Sequence, residues 1–524
     1  MEGGDMRNRA DPDQSRSDGE KKDSSTQTDN RGQRPGPRLS KMNLFTLLSL
    51  WMEVFPQQEQ PSKEEEEEEE EENHSEIRGV GLVVVWDSKV VGFHCSSPDL
   101  HAGQAAIIQH GARLAECQLY FSRRPCATCL KMIINAGVSQ ISFWPGDPEV
   151  SMLKSTSTKP SRHQCHGPTD WITEEAALDA MATEKLKSNS RPHICMLLQP
   201  LAPGFAQFVE ETSQGTDFME RVADDEPELD TEKIFNREQQ RYLKTFFRQF
   251  LVETSEEHHK VLTQMGLENI CMEPYFSSLR SIMKELVEVL AAVAAGVPHQ
   301  EFGFYREEFS TGGPSQAKTS LLPCHYEDIS QEVARHCMVQ ARLLAYRTED
   351  PKVGVGAVIW AKGQLAGCEG TAGLSLVGCG YNAYPAGSQY GEYPQMDDKQ
   401  EDRQRRKYRF IIHAEQNALT LRARDIQSGC ATMLFVTKCP CDECVPLIRG
   451  AGITHVYTSD QDRDKDKGDI SYIRFSSLKG VEKFIWQKNP LSSSHLINGY
   501  VGKQDNQSTK KQCTSRTLNT PLVS

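Results

Sequence analysis

Between residues 323 and 487 the apolar positions change period several times, and each change marks an element. Glu332 to Tyr346 repeats its apolar residues at three- and four-residue spacing, the stripe of a helix with one buried face. Val355 to Ile359 and Leu374 to Cys379 are short apolar runs, the second ending at Gly380-Tyr381-Asn382, and both predict buried strands. A helix opens at His413, Met433 to Thr437 predicts a buried strand, and Ile453 to Thr458 predicts the next. The order helix, strand, strand, helix, strand, helix, strand reads as an α/β sandwich.

Other stretches carry different patterns. Tyr275, Leu279, Ile282, Leu286, Val289 and Val293 recur at helical spacing after Pro274, so residues 201–322 read as a helical connector. The stripe is expected to pack in a core or interface, with a nuclear-export signal as the other reading of the same leucines. Residues 1–76 read as a disordered acidic tail, because Glu64 to Glu72 is an unbroken glutamate run that repels itself and buries nothing. Within them Leu44 to Phe55 forms an apolar island, interrupted by Glu53 and shorter than the roughly 20 residues of a membrane span. It is a docking helix or has no structure. From Lys488 the chain is a polar tail, residues 488–524, in which Lys503, Lys510 and Lys511 make a sparse basic arrangement, a weak nuclear-import signal.

A length of 524 residues implies two to four domains of about 150 residues each. The start of the chain has no basic region leading into an apolar core, so a secretory signal is not expected and an intracellular setting is, cytoplasmic with nuclear access as an open alternative. The sixteen cysteines then read as reduced thiols and metal ligands. A net charge of −14 lacks the basic excess that backbone-driven nucleic-acid binding draws on.

The chemistry concentrates in His413-Ala414-Glu415 and Pro440-Cys441-Asp442-Glu443-Cys444. His413, Cys441 and Cys444 supply three zinc ligands and leave a tetrahedral position for water, as hydrolytic zinc requires. Bound zinc lowers the pKa of water to about 7, and Glu415 is placed to carry the proton. A structural zinc knuckle is the rival reading, but it calls for a fourth protein ligand and has no use for a carboxylate two residues after the histidine. Cys439 competes as a ligand, although the proline before Cys441 favours the Cys441–Cys444 register.

This pattern resembles the zinc-dependent cytidine and deoxycytidylate deaminase superfamily, whose signature joins H-x-E to P-C-x-x-C. Val355-Gly356-Ala357-Val358-Ile359, Gly380-Tyr381-Asn382 and Lys407-Tyr408 resemble the dCMP deaminase branch. The resemblance implies hydrolytic deamination of a nucleobase, zinc as cofactor, Asn382 contacting the sugar, and Ala414 beside the base. It also implies the fold class: three-layer α/β/α domains, each a mixed five-stranded sheet with helices on both sides.

That fold occurs twice. His101-Ala102-Gly103-Gln104-Ala105-Ala106 echoes His413-Ala414-Glu415-Gln416-Asn417-Ala418, and Pro125-Cys126-Ala127-Thr128-Cys129 echoes the later cysteine motif. Ile133 and Ala136-Gly137 stand at the same distances from their cysteines as Ile448 and Ala451-Gly452. The expected layout is a degenerate domain at residues 77–200 and a catalytic domain at 323–487. In the first copy His101, Cys126 and Cys129 would still hold zinc, but Gly103 replaces the proton carrier and Gln104, an amide, does not titrate. Gly-Tyr-Asn has no clear counterpart there.

Arg405 and Arg406, in a basic cluster with Arg403, Lys407 and Arg409, are candidates to meet substrate phosphate, against the reading of a solvated face. The favoured function is deamination of cytidine, deoxycytidine or their mono- to triphosphates in pyrimidine metabolism. The alternatives are a polynucleotide deaminase, since editing enzymes also pair inactive and active copies, and a non-enzymatic zinc scaffold. Expected partners are small-molecule substrate and further copies of the chain, with neither nucleic acid nor membrane.

Overall fold

The computed structural model describes residues 37–56, 79–150, 170–196, 198–225, 229–299, 301–306, 329–348, 354–363, 365–385, 410–459 and 474–489. The glutamate run, Arg403 to Arg409, the connector segment 307–328 and the tail beyond 489 lie outside them.

The first copy runs α1 (Lys41–Glu53), β1 (Gly81–Trp86), β2 (Lys89–Cys95), α2 (Ala102–His110), β3 (Gln118–Phe121), α3 (Ala127–Asn135), β4 (Gln140–Phe143), α4 (Asp170–Asn189) and β5 (His193–Cys195). The connector contributes α5 (Phe205–Gln214), α6 (Asp217–Asp225), α7 (Thr231–Phe250), α8 (Ser255–Gln264), α9 (Tyr275–Ala295) and β6 (Phe302–Arg306). The second copy runs α10 (Gln331–Ala345), β7 (Gly356–Lys362), β8 (Leu374–Tyr381), α11 (Ala414–Thr420), β9 (Ala431–Val436), α12 (Cys444–Gly450), β10 (His455–Thr458) and β11 (Glu482–Lys488).

The strand orders are β2-β1-β3-β4-β5 and β6-β11-β10-β9-β7-β8. In each copy the first strand pairs antiparallel with both the second and the third, and β3-β4-β5 and β9-β10-β11 pair parallel, which makes both sheets mixed. The second sheet therefore carries one strand more than the expected five. Phe302–Arg306 pairs antiparallel with β11 and covers what would be an edge, so the connector is not wholly helical. The length and strength of the α9 pattern hide this short strand just beyond it.

A larger departure lies at the other end. The island at 44–55 is α1, capped by the Ser40 side chain accepting from the Asn43 N–H at 3.1 Å, with Leu47, Leu48, Leu50 and Met52 fully buried. It packs on β1 as α10 packs on β7, so it is the opening helix of the first copy rather than part of a disordered tail. The glutamate run between α1 and β1 conceals this by dominating the composition around it.

Gly81 and Gly356, at the starts of β1 and β7, explain how tightly these helices sit. A Cβ at Gly81 would run into the α1 backbone at Ser49 and Glu53, and one at Gly356 into the α10 backbone at Ala341. On the opposite faces Gly92 lies against His110 of α2, and Gly378 and Gly380 lie against α11. Side chains alternate accordingly. Val358 and Trp360 join the large core that runs through α1, α9 and α10, while Ala357 and Ile359 join a separate core with Ala414, Ala418, Cys444 and Ile448.

The two copies meet along β2 and β8 and where α1 touches α10. The Trp51 indole stacks on the His336 ring, centroids 4.6 Å apart and planes 12° from parallel, and its N–H donates to the His336 carbonyl at 2.9 Å. Phe55 lies against His336 and Trp360, and the Trp360 N–H donates to Gln340 at 3.1 Å. Burial holds His336 well below the usual histidine range, so it packs here as a neutral ring. Glu53 at the end of α1 is buried against Arg123, whose Nε and Nη2 donate to it at 3.0 and 2.6 Å, with Gln249 of α7 donating at 3.0 Å. In α9, Leu279, Leu286, Val289 and Val293 are buried, so the stripe is packing surface, while Tyr275 is exposed. Among the described residues no helix is long and apolar enough to cross a membrane.

Trp51→Ala is expected to destabilise the chain by about 3–5 kcal/mol, because it empties the seam and removes the indole bond to the His336 carbonyl. Tyr275→Ala, on an exposed ring, should change stability by less than about 0.5 kcal/mol. Urea unfolding of both variants checks the contrast, and equal shifts would remove the seam from the list of stabilising contacts.

Candidate active site

His413 is the residue just before α11, with extended backbone (φ −73°, ψ 158°), and its N–H donates to Gln416 Oε1 at 2.8 Å in a capping box. This fixes the imidazole at the head of the helix while Ala414 and Glu415 turn inward, both buried. Cys441 lies in the loop after β9 and Cys444 begins α12. Their sulfurs approach His413 Nδ1 at 3.3 Å each. Tetrahedral zinc with ordinary Zn–N and Zn–S bonds separates neighbouring N and S ligands by about 3.5 Å, so the donor set fits the metal. Contact with Cys444, aided by His413 and opposed by burial, draws the Cys441 thiol down to about 3, the thiolate character a zinc ligand needs. Cys439 is not among the converging donors.

Glu415 is only 4% exposed, and burial pushes its carboxyl up to about 7 while the nearby His413 opposes the shift. It stands two residues after the ligand histidine, beside the sulfurs without being one of the three donors.

The end of β8 is brought against this helix by Gly380, where a Cβ would meet Ala414 O, Asn417 Cβ and Ala418 N. Asn417 Nδ2 donates to the Tyr381 carbonyl at 2.7 Å, and Ala383 pairs with Ile412 next to His413. Asn382 thus sits beside the metal ligands. Its Oδ1 accepts from the Val355 N–H at 2.7 Å and its own N–H donates to the Val355 carbonyl at 3.1 Å. The resemblance implied a sugar contact; the structure gives Oδ1 a backbone role and leaves the amide nitrogen. Arg405 and Arg406 fall outside the described residues.

The first copy repeats the frame. His101 precedes α2 with its N–H donating to Gln104 Oε1 at 3.0 Å, so Gln104 is a cap and has no part in proton transfer. Cys126 and Cys129 sulfurs lie 3.4 and 3.6 Å from His101 Nδ1, again a fit to zinc. Here the structure corrects one reading: Asn382 has a counterpart in Ser96. The Ser96 N–H donates to the Val80 carbonyl at 2.9 Å and its Oγ accepts from the Val80 N–H at 3.2 Å, the same pair of bonds made by a shorter side chain. Two other features escaped the motif analysis. Glu149, from the loop after β4, joins His101, Cys126 and Cys129 as a fourth donor. Ser122 and Thr437 hold the first residues of β1 and β7 in equivalent ways, through Gly81 and Gly356.

The model of the cytidine and deoxycytidylate deaminase zinc-binding region matches residues 58–144 and 331–460, one match on each copy. A protein of Danio rerio, cytidine and dCMP deaminase domain-containing protein 1, is 55% identical over 468 residues, 88% of this chain and 93% of that one. Deoxycytidylate deaminase of Homo sapiens is 32% identical over 169 residues, 32% of this chain and 87% of its own length. The dCMP deaminase of cyanophage S-TIM5, solved with dCMP and dUMP, aligns at 25% identity over 30% of this chain and 99% of its own, with a TM-score of 0.21. With both zinc-binding regions matched and the Danio rerio relative similar along most of its length, the chain belongs to the cytidine and deoxycytidylate deaminase family and is a hydrolytic deaminase of cytidine-type substrates.

Proposed function

We propose that the second copy deaminates free cytidine or deoxycytidine species, nucleosides or nucleotides, at a zinc held by His413, Cys441 and Cys444, and that the first copy does no chemistry. The observation that carries this reading is the buried Glu415 carboxylate two residues after the ligand histidine and beside three converging donors, a position that Gly103 holds in the first copy.

When bound, zinc supplies a water whose pKa is lowered to about 7. Glu415 would take one proton from this water and pass it to the ring nitrogen next to the carbon under attack, then carry the second proton of the same oxygen to the departing amine. Oxygen adds to that carbon, ammonia leaves, and the cytosine ring becomes uracil. Burial keeps the carboxylate from trading its proton with bulk solvent between the two transfers. The Asn382 amide nitrogen, fixed by the bond between its own Oδ1 and Val355, donates to a sugar hydroxyl. Ala414, at the first position of α11, lines the base without bulk. Arg405 and Arg406 are assigned to substrate phosphate. The net charge of −14 supports a free small substrate over a polynucleotide.

Glu415→Gln is expected to lower kcat by about 10²- to 10⁴-fold with zinc content unchanged, because the carboxylate moves protons and holds no metal. His413→Ala or Cys441→Ala should lose that zinc together with turnover. Metal analysis beside a deamination assay on each variant decides between these outcomes, and near-normal kcat in Glu415→Gln would end the assignment.

Neutralising Arg405 and Arg406 together should raise KM for phosphorylated substrates by about tenfold or more and leave the nucleoside nearly unchanged, since charge-assisted contacts to phosphate are lost. Equal effects on both would take the two arginines out of the site. Offering nucleosides, nucleotides and single-stranded oligonucleotide side by side tests the substrate class. Turnover confined to the oligonucleotide would establish polynucleotide editing in its place.

A further inference from the structure

We propose that Glu149 is the fourth protein ligand of a closed zinc site in the first copy, formed with His101, Cys126 and Cys129, and that this closure makes the site structural. The four donor atoms lie within 4.8 Å of one another, and Glu149 Oε1 is 3.0 Å from His101 Nδ1. Oxygen and nitrogen ligands of one tetrahedral zinc stand about 3.4 Å apart, so the carboxylate is placed where the hydrolytic form of the site keeps its water.

The carboxylate is fixed for this task. Its other oxygen accepts from the Cys126 N–H at 3.0 Å, which leaves Oε1 as a single donor toward the metal. The Glu149 N–H donates to the Arg124 carbonyl at 3.0 Å, and the side chain is 8% exposed. The loop after β4 is therefore anchored at two points around the ligand. Two sulfurs, a carboxylate and an imidazole complete a tetrahedron, and no position remains for a reacting water.

The surroundings agree with a site that has given up catalysis. A Cβ at Gly103 would stand 3.0 Å from Cys129 Cβ and 3.1 Å from Ile133 Cδ1, so α2 and α3 have closed over the space a catalytic glutamate would need. The Ser96 hydroxyl accepts from both the Val80 and the Ala102 N–H at 3.2 Å, which occupies the group standing where Asn382 stands in the other copy. Gly103→Glu thus faces a crowded helix pair as well as an occupied fourth position. What the closed site does is join the head of α2, the head of α3 and the loop after β4 through one ion.

Zinc release from the full-length chain to a chromogenic chelator tests the assignment without reference to turnover, so its outcome stands apart from the substrate reading. The wild-type chain should carry two zinc ions, with the phase missing in Cys441→Ser belonging to the second copy. Glu149→Ala should speed release of the other ion by about 10- to 100-fold. Glu149→His, which restores a ligand, should slow it again. Three results would overturn the proposal: unchanged release from Glu149→Ala, unchanged zinc stoichiometry in Cys126→Ser, or a Glu149→Ala chain that loses thermal stability with metal release unaltered. The last would leave Glu149 as an ion-pair partner of His101 only.

Discussion

Much of this molecule depends on how closely two helices approach two sheets. Gly81 and Gly356 let α1 and α10 lie with their backbones against the opening residues of β1 and β7, closer than any side chain would permit. From that approach follow the buried seam, the Trp51 and His336 stack, and the anchoring of Glu53 between Arg123 and a connector helix. The opposite sheet faces are then left for α2 and α11, and the metal-binding histidines cap the starts of these two helices. The α1 and α10 faces hold the aromatic seam between the copies, and the other face of each sheet presents the chemistry, with Gln109 of α2 adding a bond to the second copy at Gly367.

The two copies show how little has to change to convert one kind of metal site into another. Capping box, cysteine spacing and strand-start hydrogen bonds are shared, and the imidazole-to-sulfur distances are alike. The differences are a missing carboxylate at Gly103, a serine in place of an asparagine at Ser96, and a carboxylate arriving from elsewhere at Glu149. The knuckle reading, which the second site resists for want of a fourth ligand, suits the first.

What the sequence revealed and what it hid divide along the range of the interactions. His413, Glu415, Cys441 and Cys444 were legible because helix geometry and a tight loop fix their relation over a few residues, and the duplication was legible because the same spacings recur. Glu149 carried no signal, since it belongs to no motif and reaches the cluster only by the return of the chain after β4. Ser96 was invisible as the partner of Asn382 because what they share is a backbone hydrogen-bond pattern and not a side-chain type. The identity of α1 was masked by the glutamates that separate it from its strand. β6 was too short to register against the long helix before it.

The position of α1 in the chain has a consequence for synthesis. Trp51 and Phe55 emerge from the ribosome early, whereas His336 and Trp360, against which they finally rest, are made some hundreds of residues later. At roughly 5–20 residues per second, translating that interval takes about 15–60 s. Throughout it the first copy can form its sheet and bury the strand-facing side of α1, yet the aromatic side has no home. The nascent chain therefore displays a sticky surface for the better part of its production, one that chaperones must shield until the second copy arrives.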